Sequence, residues 1–203
     1  MRETGPVEIR RLGRDALLVE VTDGAAALAL YCEARRREVE ARDVVPAART
    51  VLFDGVPDVD GLAGELPTWE VPPATAAGPR VDVPTTYDGP DLEDVARLWD
   101  MSTDEVVATH TATDFQVAFC GFSPGFAYCT GLPERLAVPR LDTPRAKVPA
   151  GFVGLAGPFT GIYPTASPGG WRLIGRTTLR LWDADLDPPA TLPPGTRVRF
   201  VPA

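Results

Sequence analysis

Between residues 121 and 175, glycine and proline fill 18 of 55 positions, against a usual combined share of roughly 12%. Such a stretch stays disordered only when it lacks apolar side chains, and this one carries Phe122, Phe126, Tyr128, Leu132, Val153, Ile162, Tyr163, Trp171 and Ile174. Proline fixes φ, whereas glycine permits positive φ and close approach of another backbone. Together they predict a rigid wall of turns and short strands whose exposed N–H groups can form a concave nest for an anion.

Charge is distributed in the same sense. The 203 residues carry a formal charge of −8, but residues 1–120 hold 11 Arg against 23 carboxylates, whereas residues 121–203 hold 9 Lys and Arg against 5. The basic half can therefore attract a small anion in an otherwise acidic protein. No apolar run approaches the ~18 residues that would suggest a membrane span, and residues 1–13 show no secretory or transit pattern. A cytoplasmic protein is expected, with no membrane partner. Cys32, Cys120 and Cys129 are odd in number and lack CxxC spacing. They read as small buried hydrophobes rather than disulfides or zinc ligands.

Along the chain, "VEIRRLG" and "ALLVEV" alternate like two strands around a turn at 13–15, and "DGAAALALYCEARRREVEAR" reads as a helix with Leu28, Tyr31, Cys32 and Val39 near one face. "ARTVLFDGV" is a strand, a short helix follows near 61–66, and "PTWEVPPATAAGPR", with four prolines, reads as a linker. The expected domains are 1–76 and 77–203. In the second, "VDVPTTYDG" is strand and turn, and two short helices follow, the latter opened by a Ser102–Glu105 capping box. Six carboxylates against Arg97 alone in residues 91–110 exclude a DNA-binding helix pair, because phosphate would be repelled. "FQVAFCG", "FVGLAG", "WRLIGRT", "TLRLW" and "TRVRFV" are the remaining strands. The fold class is α+β: a small α/β domain, then a small barrel or sandwich.

The chain has no G-x-x-x-x-G-K-[ST], and the glycines of "GFVGLAG" are not spaced for a dinucleotide fingerprint. Neither Ser123 nor Ser167 lies in a G-x-S-x-G elbow. His110 is the only histidine and Lys147 the only lysine; they are the candidate catalytic groups. His110 falls at a helix end, where the helix dipole would favour its protonated form and where structural histidines are common, so a structural or capping role weighs more than a catalytic one. The expected substrate-binding set begins with Phe122, Pro124, Gly125 and Phe126, continues through Arg140, Arg145 and Gly151, and ends with Thr160, Tyr163, Ser167, Gly169, Gly170 and Trp171. The aromatic members can serve as core or as ligand platform. Arg140, Arg145 and Lys147 can grip a carboxylate or phosphate, with Arg172 and Arg176 close behind. No metal ligands are expected.

The ordered words "GFSPGFAY", "GLPERL", "PRLDTPRAKVPAG", "TGIYP" and "SPGGWRLIGRT" resemble the family of 5-oxoprolinase B-type subunits, also called the Kip inhibitor family or allophanate hydrolase subunit 1, which is homologous to one half of the carboxyltransferase domain of urea carboxylase. The resemblance spans the second domain and fits the first in outline. It implies a small α/β domain followed by a cyclophilin-like β-barrel. It also implies a protein that acts with a C-type subunit of similar architecture and an A-type subunit to open the lactam of 5-oxoproline to glutamate, using ATP and its Mg ion in the assembled complex. The alternatives it carries are a regulator resembling the Kip inhibitor of a sensor histidine kinase, and a subunit of a urea carboxylase or allophanate hydrolase system. The chain departs from the family in having Phe152 after "PAG" and Phe159 before "TGIYP", where relatives are polar; under the regulatory alternative these two would be exposed apolar anchors.

Overall fold

The computed structural model describes residues 8–74 and 78–203. The chain divides into two compact units, Met1–Ala77 and Gly78–Ala203. The boundary expected at residue 76 lies on residues 75–77, outside the described residues.

In the first unit, strand β1 (Glu8–Leu12) turns through Gly13, at φ 68°, into β2 (Ala16–Glu20). Helix α1 (Gly24–Arg36) follows, its first turn capped by the Asp23 carboxylate, which accepts the Ala26 N–H. Strands β3 (Asp43–Pro46) and β4 (Thr50–Asp54) complete an antiparallel sheet of order β1-β2-β4-β3, and helix α2 (Val59–Glu65) closes the unit. The alanines of α1 bury against the sheet with Leu17, Val19, Val51 and Phe53; their small side chains let helix and sheet approach closely. The helix is shorter than its Ala/Glu/Arg composition suggests. At its end the buried Glu33 carboxylate accepts hydrogen bonds from Arg36 and Arg37, which hold its pKa down to about 2, and Glu38 turns left-handed at φ 53°. Val39 is therefore outside the helix, and Cys32 is exposed rather than buried.

The second unit begins with β5 (Arg80–Thr85) and helices α3 (Leu92–Trp99) and α4 (Thr103–Ala112), the latter with both halves of the Ser102–Glu105 capping box formed. Strands β6 (Phe115–Cys120), β7 (Ala127–Thr130), β8 (Arg145–Val148), β9 (Phe152–Ala156), β10 (Phe159–Ile162), β11 (Ser167–Gly169), β12 (Arg172–Arg176) and β13 (Arg197–Pro202) follow. Seven of these nine strands form one sheet of order β12-β9-β10-β7-β6-β13-β5. Thr86 and Arg176 exchange both backbone hydrogen bonds, at 2.9 and 2.8 Å, and so draw its outer strands into a nearly closed barrel. All pairings are antiparallel except β13 with β5. Strands β8 and β11 form a separate ribbon. The expected strand "TLRLW" does not form; of it only Trp182 pairs, in a single bridge to Ala190.

Two cores divide this unit. One joins Val95, Trp99 and Val106 of the helices to the barrel interior. The other, containing Phe126, Val148, Ala156, Tyr163, Trp171 and Leu173, lies beside the ribbon.

Candidate functional site

The second core opens into a cavity of about 80 Å³ lined by Phe122, Phe126, Tyr128, Arg140, Tyr163 and residues 168–171. Three segments build it. The first is the turn 121–126, fixed by Gly121 N–H to Phe126 O at 3.1 Å and Phe126 N–H to Ser123 O at 3.0 Å. Gly125 adopts φ 82°, and a Cβ there would stand 2.9 Å from Leu181 O and 3.0 Å from Trp182 Cβ, so only glycine fits this turn against the loop behind it. The second segment is Tyr163, just past β10. The third is the end of the β8–β11 ribbon, where Gly169 lies against the Tyr163 ring. Phe126 sits at the centre, its ring 5.1 Å from Tyr128, 5.3 Å from Tyr163 and 5.2 Å from Trp171, the last two edge-on. Such contacts lock ring orientations and stiffen the wall.

The five basic residues expected to grip an anion separate into two groups. Arg145 is bound to Asp91 at 2.6 Å. Arg172 donates to Pro139 O and approaches Asp94, and Arg176 pairs with Asp88. Their charges are spent on α3 and the turn before it, which are the acidic segment of the sequence. Among the described residues, Arg140 and Lys147 have neither ion pair nor side-chain hydrogen bond, and only Arg140 lines the cavity. Burial raises the pKa of both Tyr128 and Tyr163; Arg140 opposes the shift at Tyr128, and at Tyr163 a hydrogen bond from the Trp171 backbone opposes it first and Arg140 second. At neutral pH both phenols are protonated and can donate a hydrogen bond.

The other expected residues lie elsewhere. His110 is fully buried in the barrel core, packed on Phe115 and Phe200. Thr160 donates to Gly154 O, so it accepts from His110 Nε2–H at 3.1 Å, and His110 Nδ1 accepts the Tyr87 hydroxyl at 2.7 Å. Burial pushes the His110 pKa down to about 3. This corrects the expectation of a cation favoured by the helix dipole: desolvation outweighs a dipole contribution of ~1 kcal/mol. Thr160 likewise belongs to the core. Gly151, at φ 85°, donates its N–H to Tyr163 O and accepts the Thr177 N–H, and shapes the wall from behind. Pro124 is exposed on the turn. Ser167 starts β11, its buried hydroxyl without a partner. Phe152 and Phe159 are not exposed anchors; both are half-buried and pack on the second core.

Sequence reasoning missed Tyr128 as a ligand-facing side chain and Asp91 altogether. Tyr128 follows Phe126 by two positions, the spacing that puts both on one face of a strand. Asp91 left no signal, because its partner is 54 positions away.

The cavity is well below the roughly 300–1,000 Å³ of drug-sized ligand sites. Its size admits a small molecule, or one end of a larger one, and its lining offers a guanidinium, aromatic surface and two phenol hydroxyls. A nucleoside triphosphate exceeds this volume, and among the described residues a single cation, Arg140, lines the space, too little to neutralise a triphosphate.

Comparisons with known proteins agree with this architecture. The B-type subunit of 5-oxoprolinase from Escherichia coli O157:H7 is 48% identical over 138 residues, 66% of this chain and 63% of that protein. The protein of the same name from Bacillus subtilis strain 168 is 45% identical over 124 residues, 60% of this chain and 52% of that one. The matched part is thus less than two thirds of either relative. Among solved structures, TTHA0988 aligns over 97% of this chain but 40% of its own, with 33% identity and TM-score 0.77. PH0987 from Pyrococcus horikoshii aligns over 97% of both chains, with 36% identity and TM-score 0.59. The Kluyveromyces lactis urea carboxylase shares the fold over 22% of its length, at 21% identity and TM-score 0.70. The model of the carboxyltransferase domain, subdomain C and D, matches residues 7–192, and the chain belongs to that family.

Proposed function

We propose that the chain is the B-type subunit of an ATP-dependent 5-oxoprolinase-type complex, working in the cytoplasm with homologues of the C-type and A-type subunits. The observation that carries this reading is Arg140, the one cation lining an aromatic cavity, in a chain 48% identical to a B-type subunit of 5-oxoprolinase. The Arg140 guanidinium takes the substrate carboxylate; Phe126 and Trp171, in edge-on contact with each other, form one apolar wall against which the lactam ring packs and from which water is excluded; the Tyr128 and Tyr163 hydroxyls are the donors available to the ring carbonyl. ATP, with its Mg ion, supplies activation of the amide oxygen when bound by the assembled complex. His110 takes no part in proton transfer in this proposal. Lys147, exposed on β8, is available to the part of the site that a partner builds. No helix among the described residues is long and apolar enough to cross a membrane.

The test is reconstitution. The chain, combined with the C-type and A-type homologues of its host, should hydrolyse ATP only when 5-oxoproline is present. An assembled complex with no such dependence would overturn the assignment. Neither alternative gains a specific observation. The regulatory one leaned on Phe152 and Phe159, which are packed, and the urea carboxylase likeness extends to the fold.

A further inference from the structure

The turn at the mouth of the cavity is built against its own interest as a free surface. Phe122 is 63% exposed, the most exposed large hydrophobic residue among those described, and its backbone is left-handed at φ 69°. A non-glycine residue in that conformation costs about 1 kcal/mol, yet three backbone hydrogen bonds within residues 121–126 hold it there. Within the second unit the phenyl ring makes one aromatic contact, edge-on to Phe126 at 5.4 Å, and lines the cavity mouth; the larger part of its surface faces outward. The same turn buries the Ser123 hydroxyl without a partner. Behind it, packed on Gly125, stands Trp182, 37% exposed, on the loop that continues to Leu186, 59% exposed. The cavity's free cation, Arg140, is also exposed.

An aromatic side chain held rigidly outward beside a polar rim is the arrangement of an interface anchor. The comparisons show the module both with and without further chain. The module stands alone in PH0987, where it accounts for 97% of the chain, and is built into a longer polypeptide in TTHA0988, where it accounts for 40%. A module that occurs both alone and joined to further chain is suited to associate with a separate polypeptide, and under the subunit reading above that polypeptide is the C-type homologue. We infer that Phe122 is the anchor of that face: the turn 121–126 docks into an apolar recess of the C-type homologue, which thereby lids the cavity. This rests on the subunit reading above. It assigns Phe122 to the partner rather than to the substrate, and it makes the closed site a product of assembly.

The experiment uses the full-length chain and the purified C-type homologue of the same host, without substrate, by isothermal titration calorimetry. Phe122→Asp and Phe122→Ala are compared with wild type and with Leu98→Asp, a change of a residue 49% exposed on α3. Urea denaturation of each variant reports on folding. Expected are a loss of affinity of at least 30-fold for Phe122→Asp and about 10-fold for Phe122→Ala, and less than a threefold change for Leu98→Asp. Unfolding midpoints of the Phe122 variants should equal or exceed that of wild type, because the substitutions remove an exposed apolar group. Wild-type affinity in either Phe122 variant overturns the anchor, as does the absence of any complex between the wild-type proteins. If instead assembly depends on Phe122 while the reconstituted complex ignores 5-oxoproline, the anchor stands and the 5-oxoprolinase reading falls.

Discussion

One oxygen of the Asp91 carboxylate accepts the Arg145 guanidinium and the other accepts the Leu173 N–H, both at 2.6 Å. A single buried side chain at the start of α3 thus ties the β8–β11 ribbon to β12, and with it the wall that carries Trp171. Arg145 is a strut. Arg145→Met should cost about 3 kcal/mol of stability, the low end for breaking a buried pair, since the guanidinium is partly exposed; Lys147→Met should change stability by less than ~0.5 kcal/mol. Urea denaturation of both variants checks the contrast, and equal midpoints would return Arg145 to the list of free cations.

Arg140→Ala should leave stability within ~0.5 kcal/mol of wild type and weaken 5-oxoproline binding to the assembled complex by about 10- to 30-fold, the worth of one charge-assisted contact. Calorimetric titration gives the affinity and thermal melting the stability. Unchanged affinity would remove Arg140 from the carboxylate.

His110 makes stability sensitive to pH. Its folded pKa of about 3 lies below the unfolded value of about 6.5, so in that window the unfolded chain binds the extra proton. Stability from this group is complete above pH ~6.5 and falls by ~1.4 kcal/mol per unit as the pH is lowered towards 3. His110→Asn should be less stable at pH 7.5 yet show a flatter profile from pH 6.5 to 5, before carboxylates begin to titrate. A wild-type profile that is already flat there would contradict the burial of a neutral imidazole.

Gly169 and Gly170 should respond differently to alanine. A Cβ on Gly169 would stand 2.7 Å from Tyr163 Cζ, on a ring that Phe126 prevents from moving aside. The expected cost is about 1–3 kcal/mol, with loss of the cavity. A Cβ on Gly170 meets Pro144 Cβ at an ordinary 3.6 Å, and that variant should fold like wild type. Melting temperatures and 5-oxoproline titration of the two variants test this.

The barrel was legible where side chains alternate strictly, as in "TRVRFV", and where a local hydrogen bond is encoded, as in the Ser102–Glu105 box. Strands β8, β10 and β11 were not, because three or four residues leave no periodicity to detect, because β10 and β11 also carry glycine or proline, and because β8 and β11 pair only with each other. The site was half legible. Aromatic and glycine spacing marked Phe126, Tyr163, Gly169 and Trp171, which the fold brings together. Charge alone could not separate Arg140 from Arg145, since what separates them is a carboxylate far away in the chain. His110 misled for a related reason: a helix end is visible in sequence, but its burial beneath Phe200 is a tertiary fact.

The one parallel pairing in the barrel has a mechanical consequence. Strands β5 and β13 open and close the second unit and lie side by side over six residues in the same direction. Tension applied at its two ends pulls each strand along its own axis, one towards its start and the other towards its finish. The inter-strand hydrogen bonds then share the load in shear rather than parting one at a time, so a barrel tethered at both ends, as in a longer polypeptide, resists traction at the seam where its own chain begins and ends.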